Sequence, residues 1–164
     1  KMVVLGLICV VQTSVMMGIA LALNDPPTDA VLLGSPGLEL AVCCLATAFV
    51  SGLLGLAISA FVSSSEQVMP VLVVTIMAQL VLAGGIIPVA GRPVFEQLSW
   101  LMPARWGYAM AASTVDMVTI LPTRDDALWH HEASQWLTDL GFIALIGVVA
   151  ALVCQIGLAR RGQH

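Results

Sequence analysis

GGIIPVAGRPVFEQLSWLMPARWGYAMAASTVD, residues 84–116, decides how the chain is folded. It continues an uncharged run that begins at Val68, breaks at Pro88, Gly91 and Pro93, and resumes as two short apolar pieces on either side of Pro103. Crossing a bilayer takes about 20 helical residues at about 1.5 Å each, and neither piece is that long. The first gathers Val94, Phe95, Leu98, Leu101 and Met102 on one helical face, with Glu96 and Gln97 opposite. Pro103 cannot continue that arm but suits the first turn of the next, which carries Arg105, Trp106 and Tyr108 and runs to about Met117. Trp100, Trp106 and Tyr108 are of the types that favour the headgroup zone. The pattern predicts a re-entrant external hairpin over about 93–117 that enters and leaves the membrane on one side, the alternative being an amphipathic helix lying flat in the interface.

The rest of the chain reads as the frame around this hairpin. It is 59% hydrophobic and only 10% charged, against about 25% charge in a soluble domain. The fold class this implies is an all-α integral membrane protein. Its 164 residues have room for four spans and one sizeable loop, and for no further catalytic domain. The net charge of −4 hides an asymmetry: the acids cluster in two connecting segments, while Lys1, Arg160 and Arg161 stand at the ends. That distribution speaks of sidedness and gives no reason to expect nucleic acid.

Four spans are expected, at about 2–23, 38–62, 68–87 and 136–159. The first ends at NDPPTD, which stops a helix, and carries the small-residue stripe Ser14, Gly18, Ala22, with Gln12 and Thr13 at its middle. It reads as a retained span, since no signal-peptidase-type site follows it. The opening Lys, without an initiator Met, reads as a chain cut from a longer one. The second span follows Ser35-Pro36-Gly37, has a stripe of Ser51, Gly55 and Ser59, and places Glu39 in its first turn, where a carboxylate suits the positive end of a helix dipole. The polar turn 63–67 makes the second and third spans antiparallel neighbours, with Glu66 solvated or capping and Pro70 in the first turn of the third. Thr75 and Gln79 lie at mid-depth there, Gln79 suited to an interhelical hydrogen bond or to a polar path. Residues 118–135 are polar and predict a solvated external loop; its adjacent His130 and His131 do not share a helix face, which argues against a metal site.

An even number of crossings puts both ends on one side, and the basic ends mark it as cytoplasmic. Arg92, Arg105 and Arg124 then lie outside, in a connection long enough to weigh little in that rule. Cys9, Cys43, Cys44 and Cys154 all fall in apolar runs, so no loop disulfide is expected and no zinc-site spacing appears. There is no phosphate-binding loop, no Ser/His/Asp set and no facing carboxylate pair, hence no ATPase or other catalytic site within these residues. What remains is packed helices, small-residue seams and a re-entrant element, the parts of a gated path. Irregular backbone at membrane depth needs protein or a water-filled cavity around it. A non-transporting four-span anchor and a channel-like pore on the re-entrant loop are the rival readings, separated by whether an ATPase signature accompanies the chain.

Gly85-Ile86-Ile87, then Leu98-Ser99-Trp100-Leu101, then Pro103-x-Arg105-Trp106-Gly107-Tyr108, followed by an external segment and a last span, resembles the ABC-2 type, G-subfamily-like exporter transmembrane domain. The similarity covers the third to sixth of that family's six helices. AASTVDM and the Trp-His-His segment look like actinobacterial members, whose full chains can carry forkhead-associated domains and a nucleotide-binding domain. The resemblance implies a homodimer of such domains in the cell membrane. ATP and Mg would be bound by a nucleotide-binding domain outside this sequence, and the cargo would rise between the subunits. It implies Ile86 and Ile87 as the gate, Met77 and Gln79 as path-lining, and Phe95, Trp100, Arg105, Trp106 and Tyr108 as the external hairpin that shapes the exit. Arg105 would anchor that hairpin to an acid or to lipid phosphate. Met77 stands where a multidrug member has a stacking aromatic; flexible thioether contact suits a lipid or glycolipid better than a planar drug. The disulfide cysteines of animal members have no counterpart here.

Overall fold

The computed structural model describes residues 2–24, 27, 29–62, 64–123 and 126–161. Lys1, Arg124 and the side chains of Arg160 and Arg161, used above for sidedness, lie outside that set, as do Asp25, Pro26, Thr28, Ser63 and Asp125. The chain runs α1 (Met2–Leu23), α2 (Pro36–Phe61), α3 (Ser65–Leu82), α4 (Pro93–Ser99), α5 (Pro103–Thr114), α6 (Met117–Ile120), a 3-10 turn (Ala127–Trp129) and α7 (Ala133–Arg161). Prolines fix several starts. Pro36, Pro93 and Pro103 open α2, α4 and α5, each preceded by an extended residue, Ser35, Arg92 and Met102. α1, α2 and Ala133–Gly157 of α7 are long and apolar enough to cross a membrane.

α3 differs from expectation. It begins at Ser65, so Pro70 lies within the helix instead of in its first turn, and it ends at Leu82 instead of about residue 87. Ala83 caps it, and Gly84 then adopts φ +92, a left-handed value that ends a helix and that glycine takes without steric penalty. The 18 residues of α3 rise about 27 Å, close to the roughly 30 Å of a bilayer core. Gly85, Ile86, Ile87 and Pro88 follow as irregular chain, and Gly91, at φ +77, turns it into α4.

α2, α5 and α7 form the core. Cys43 and Val50 from α2, Trp106 and Met110 from α5, and Trp136 and Ile143 from α7 make one buried cluster. α5 runs antiparallel to α2: Thr114 neighbours Glu39, whereas Gly107 sits so tightly on Thr47 that a Cβ there would collide with its hydroxyl, Cβ and methyl. From Glu39 to Thr47 is about 12 Å along α2. α5 therefore reaches at least that far from the end where α2 begins, and its own C-terminus returns to that end.

α7 runs parallel to α2. A Cβ on Gly147 would touch Val50, and one on Gly157 would press on Ala60 and Phe61. α1 is antiparallel to α2, with Gly6 against Phe49 and Leu5 filling the space at Gly52. α3 packs on α4 and α5 and leaves Leu72, Val73, Val74, Ile76 and Met77 exposed.

Gly107→Ala tests the α2–α5 seam. Helix propensity favours the change by about 1 kcal/mol, but Thr47 is short, β-branched and bonded to the Cys43 carbonyl at 2.7 Å, so the helices must part. Overpacking of this kind costs about 1–3 kcal/mol. The expected outcome is a lower thermal midpoint of the purified protein, and Thr47→Ser added to Gly107→Ala should recover part of it.

Candidate functional site

Arg105 is the centre of the hairpin and is 2% exposed. Its Nη2 donates to Asp126 Oδ2 at 2.6 Å, and Nη1 makes a long 3.5 Å contact to the Ala83 carbonyl at the end of α3. A cation there also faces the negative end of that helix. The left-handed backbone at Gly84 brings its Cα close to the guanidinium; a Cβ at this position would overlap Nη1. One side chain thus ties together the end of α3, the hairpin and the segment before α7.

Trp106 is turned inward. It is buried, its ring stacked on Phe142 of α7 at 4.1 Å and 7°. Burial is possible because its Nε1 donates to the Trp100 carbonyl at 2.9 Å, so the bend between α4 and α5 satisfies the indole internally. Trp100 stays exposed, tilted against Trp106 at 6.2 Å. Tyr108 is half-buried and meets Trp129 edge-on at 5.8 Å.

The polar segment before α7 is docked on the hairpin instead of being solvated throughout. Asp126 and Trp129 are buried. The Ser113 hydroxyl donates to the His130 carbonyl at 2.7 Å, and His131 Nδ1 donates to the Ser113 carbonyl at 2.8 Å. Glu39 also acts differently from the dipole partner expected. It is fully buried and receives the backbone N–H groups of Val31, Leu32 and Leu33 at 3.0, 2.6 and 2.7 Å. Its carboxylate therefore folds the α1–α2 connection down onto the core.

The residues expected to line a path or close it are elsewhere. Met77 is 56% exposed on α3, and Ile86 and Ile87 are 67% and 39% exposed just beyond it. Gln79 is half-buried and accepts from the Ser51 hydroxyl at 2.9 Å, an interhelical bond that ties α3 to α2. Phe95 is exposed on α4 with Val94, Leu98 and Leu101. The fold thus gathers Trp100, Arg105, Trp106 and Tyr108 and leaves Met77, Ile86, Ile87 and Phe95 on its outer surface.

Two partners escaped the sequence reading. Asp126 is one acid among several in a polar run, with nothing to single it out. Asp139 did carry a signal: it is an acid inside an apolar helix whose other charges, Arg160 and Arg161, stand at its end, and such residues are rare and functional by default. It is fully buried.

A cleft of about 680 Å³ opens between α1, α2 and α5, apolar apart from Gln12, Thr13, Thr47 and Tyr108. A second, more polar hollow of about 880 Å³ lies among Asp29, Thr114, Asp116 and His131 at the end where α2 starts. No three His, Cys, Asp or Glu side chains among the described residues converge as metal ligands would.

Residues 1–115 match the family described as ABC-2 type transporter. The chain belongs to the ABC-2 type transporter family. Over 153 residues, 91% of the chain, it is 44% identical to the ABC transporter ATP-binding/permease protein Rv1747 of Mycobacterium tuberculosis, and it spans 18% of that protein's length. No solved structure matches it. The chain is thus a permease part of an ABC-2 type ABC transporter, and Ala83, Gly84 and Arg105 lie within residues 1–115, whereas Asp126 lies beyond them.

Removing one partner of a buried pair strands the other and costs about 3–5 kcal/mol. Arg105→Met should accordingly sharply reduce the folded fraction of the ABC-2 domain in fluorescence-detected size exclusion. Gly84→Ala, which needs both a strained φ and a displaced guanidinium, should do so to a lesser degree, whereas alanine at Gly55, where nothing lies within 4 Å of a Cβ, should be tolerated.

Proposed function

We propose that this chain is the translocating part of an ATP-driven exporter that moves a lipid or glycolipid outward from the cytoplasm or the inner leaflet. The observation that carries the reading, within the family membership, is the uncharged and unpartnered face of α3 with the irregular chain after it, where Met77, Ile86 and Ile87 are exposed. Apolar side chains presented this way on a membrane helix suit a second copy of the same domain, with the path running between two α3 faces. Ile86 and Ile87 from both copies then form the gate; Met77 lines the path below it, and Gln79 supports that wall through Ser51.

In this reading α3 is a fourth crossing. The parallel packing of α2 and α7 supports it, because residues 62–132 must then return the chain to the end where α2 starts. Both ends of the chain lie in the cytoplasm of a multi-pass cell-membrane protein. The relative's name joins ATP-binding to permease, which supports a nucleotide-binding domain, with its ATP and Mg, in the same chain or a partner. The family resemblance adds a forkhead-associated domain as a further expectation. An apolar cleft edged by a few hydroxyl and amide groups fits a lipid better than an ion, in keeping with ligand sites that are mostly apolar with few polar groups.

The test uses the full-length parent protein in lipid nanodiscs and proteoliposomes. Ile86→Ala/Ile87→Ala should leave the fold intact, change lipid-stimulated ATPase severalfold and reduce ATP-dependent movement of a fluorescent phospholipid. Unchanged ATPase and translocation in a well-folded double variant would remove the gate assignment. Accessibility labels placed at residues 2 and 159 should react from the same face; labelling from opposite faces would sink the four-crossing arrangement.

A further inference from the structure

Asp139 lies in the core without an evident purpose. Its Oδ1 accepts from Gln135 Nε2 at 2.9 Å, one turn earlier on α7. Its Oδ2 is buried and, among the described residues, has no hydrogen-bond partner. Leaving a buried carboxylate oxygen unsatisfied is expensive, and Asp139 lies within electrostatic range of both Arg105 and Asp126. Arg105 in turn holds a buried Nε that has no partner among the described residues. The guanidinium offers five N–H donors in a fixed fork. Here it makes one short bond, to Asp126, and one long contact, to Ala83.

Asp126 itself is occupied on both sides, Oδ2 by Arg105 and Oδ1 by the Leu128 N–H at 3.2 Å. One cation is therefore bonded to one carboxylate and within the electrostatic reach of a second, carried by a different part of the chain. One is in the connecting segment beside the hairpin and the other is on the last span. The cluster is enclosed: Arg105, Asp126 and Asp139 are all buried. Its geometry is thus independent of whatever covers the open faces of α1 and α3.

We propose that Asp139 is the alternate counter-ion of Arg105, and that the guanidinium exchanges Asp126 for Asp139 when the hairpin shifts against the segment before α7. A buried cation cannot be left unpaired during such a shift. The second acid removes that obstacle, because the guanidinium keeps a carboxylate in both arrangements. Asp139 is a positioning residue in this scheme. It acts on the hairpin through Arg105 and touches no cargo. The inference uses the family membership and is independent of which cargo is moved.

The experiment compares Asp126→Asn, Asp139→Asn, their combination and Arg105→Met in the full-length protein in nanodiscs. Asn at 139 can keep the bond from Gln135, so Asp139→Asn should fold with an unchanged thermal midpoint in the nucleotide-free state. Asp126→Asn should lower the midpoint by about 3 °C or more, yet less than Arg105→Met, because Asp139 takes over. The double variant should fall as far as Arg105→Met, further than the two single effects added.

After trapping with ATP, Mg and vanadate the dependence should reverse, with Asp139→Asn now the destabilised single variant and Asp139→Glu restoring it. Additive single effects, a nucleotide-free Asp139→Asn that is destabilised or fails to fold, or an Asp139→Asn effect that is the same in both states would each overturn the exchange. If no trapped state forms, the ATP-driven reading above fails, and the nucleotide-free comparison still decides this one.

Discussion

A guanidinium buried in a membrane domain has to be held on all sides by protein, and Arg105 shows what that demand does to the surrounding chain. Its short bond to Asp126 requires the segment before α7 to fold back over the hairpin. It approaches the Ala83 carbonyl where α3 stops, and the closeness of the two requires a residue without a side chain at 84. Three breaks in regular structure meet at one charge. The reverse also holds: with the hairpin bent back, Arg105 is the side chain whose reach joins α3, α5 and the connecting segment at a single point, so a displacement of any one is felt by the others.

The aromatic pair below this junction has a complementary role. Trp106 lies flat on Phe142 and gives its N–H to the carbonyl of Trp100, which fixes the bend of the hairpin to the last span without a charge. Glu39 holds the opposite corner by collecting three backbone N–H groups of the α1–α2 connection. Both connecting segments on that side are thus fastened by buried carboxylates, Glu39 for one and Asp126 for the other. The acidic bias of those connections was visible as charge asymmetry. Part of that acid is structural, spent on hydrogen bonds inside the protein.

How much of this was legible follows from what kind of signal each feature leaves. The long helices announce themselves through uninterrupted apolar runs, and Pro36, Pro93 and Pro103 mark helix starts because proline's fixed φ suits a first turn, although Pro70 lies inside α3. The hairpin was readable as two arms too short to cross. The end of α3 was placed about five residues late, because Ile86 and Ile87 continue the apolar run while the stop is set by Gly84, whose left-handed backbone lies against Arg105 from α5. The burial of Trp106 in the protein left no mark either, since residue type cannot register that a carbonyl six residues earlier satisfies the indole. Asp126 had no local mark, since its partner lies 21 positions away. Local pattern reports helices well and long-range polar pairing hardly at all, and in this domain the candidate site is made of the second kind.

The direction of packing carries the final step. α2 and α7 lie side by side and parallel, Val50 by Gly147 and Ala60 by Gly157, and a parallel pair cannot be joined by a short turn. The seventy or so residues between them have to bring the chain back to its starting level, as a crossover must between parallel strands. α3 runs back along α2 as far as the level of Thr47, with Gln79 bonded to Ser51 and Ala83 beside Arg105. α5 makes the rest of the return and ends where Ser113 and Thr114 meet the segment leading into α7 and Glu39 of α2. A connection that ended at the other end of α2 would start α7 there, and the buried cluster of Cys43, Val50, Met110 and Ile143 could not form. The core itself therefore requires residues 62–132 to bring the chain back to the start of α2, and the last part of that return is α5, opened by the bend that Trp100, Pro103 and Trp106 build.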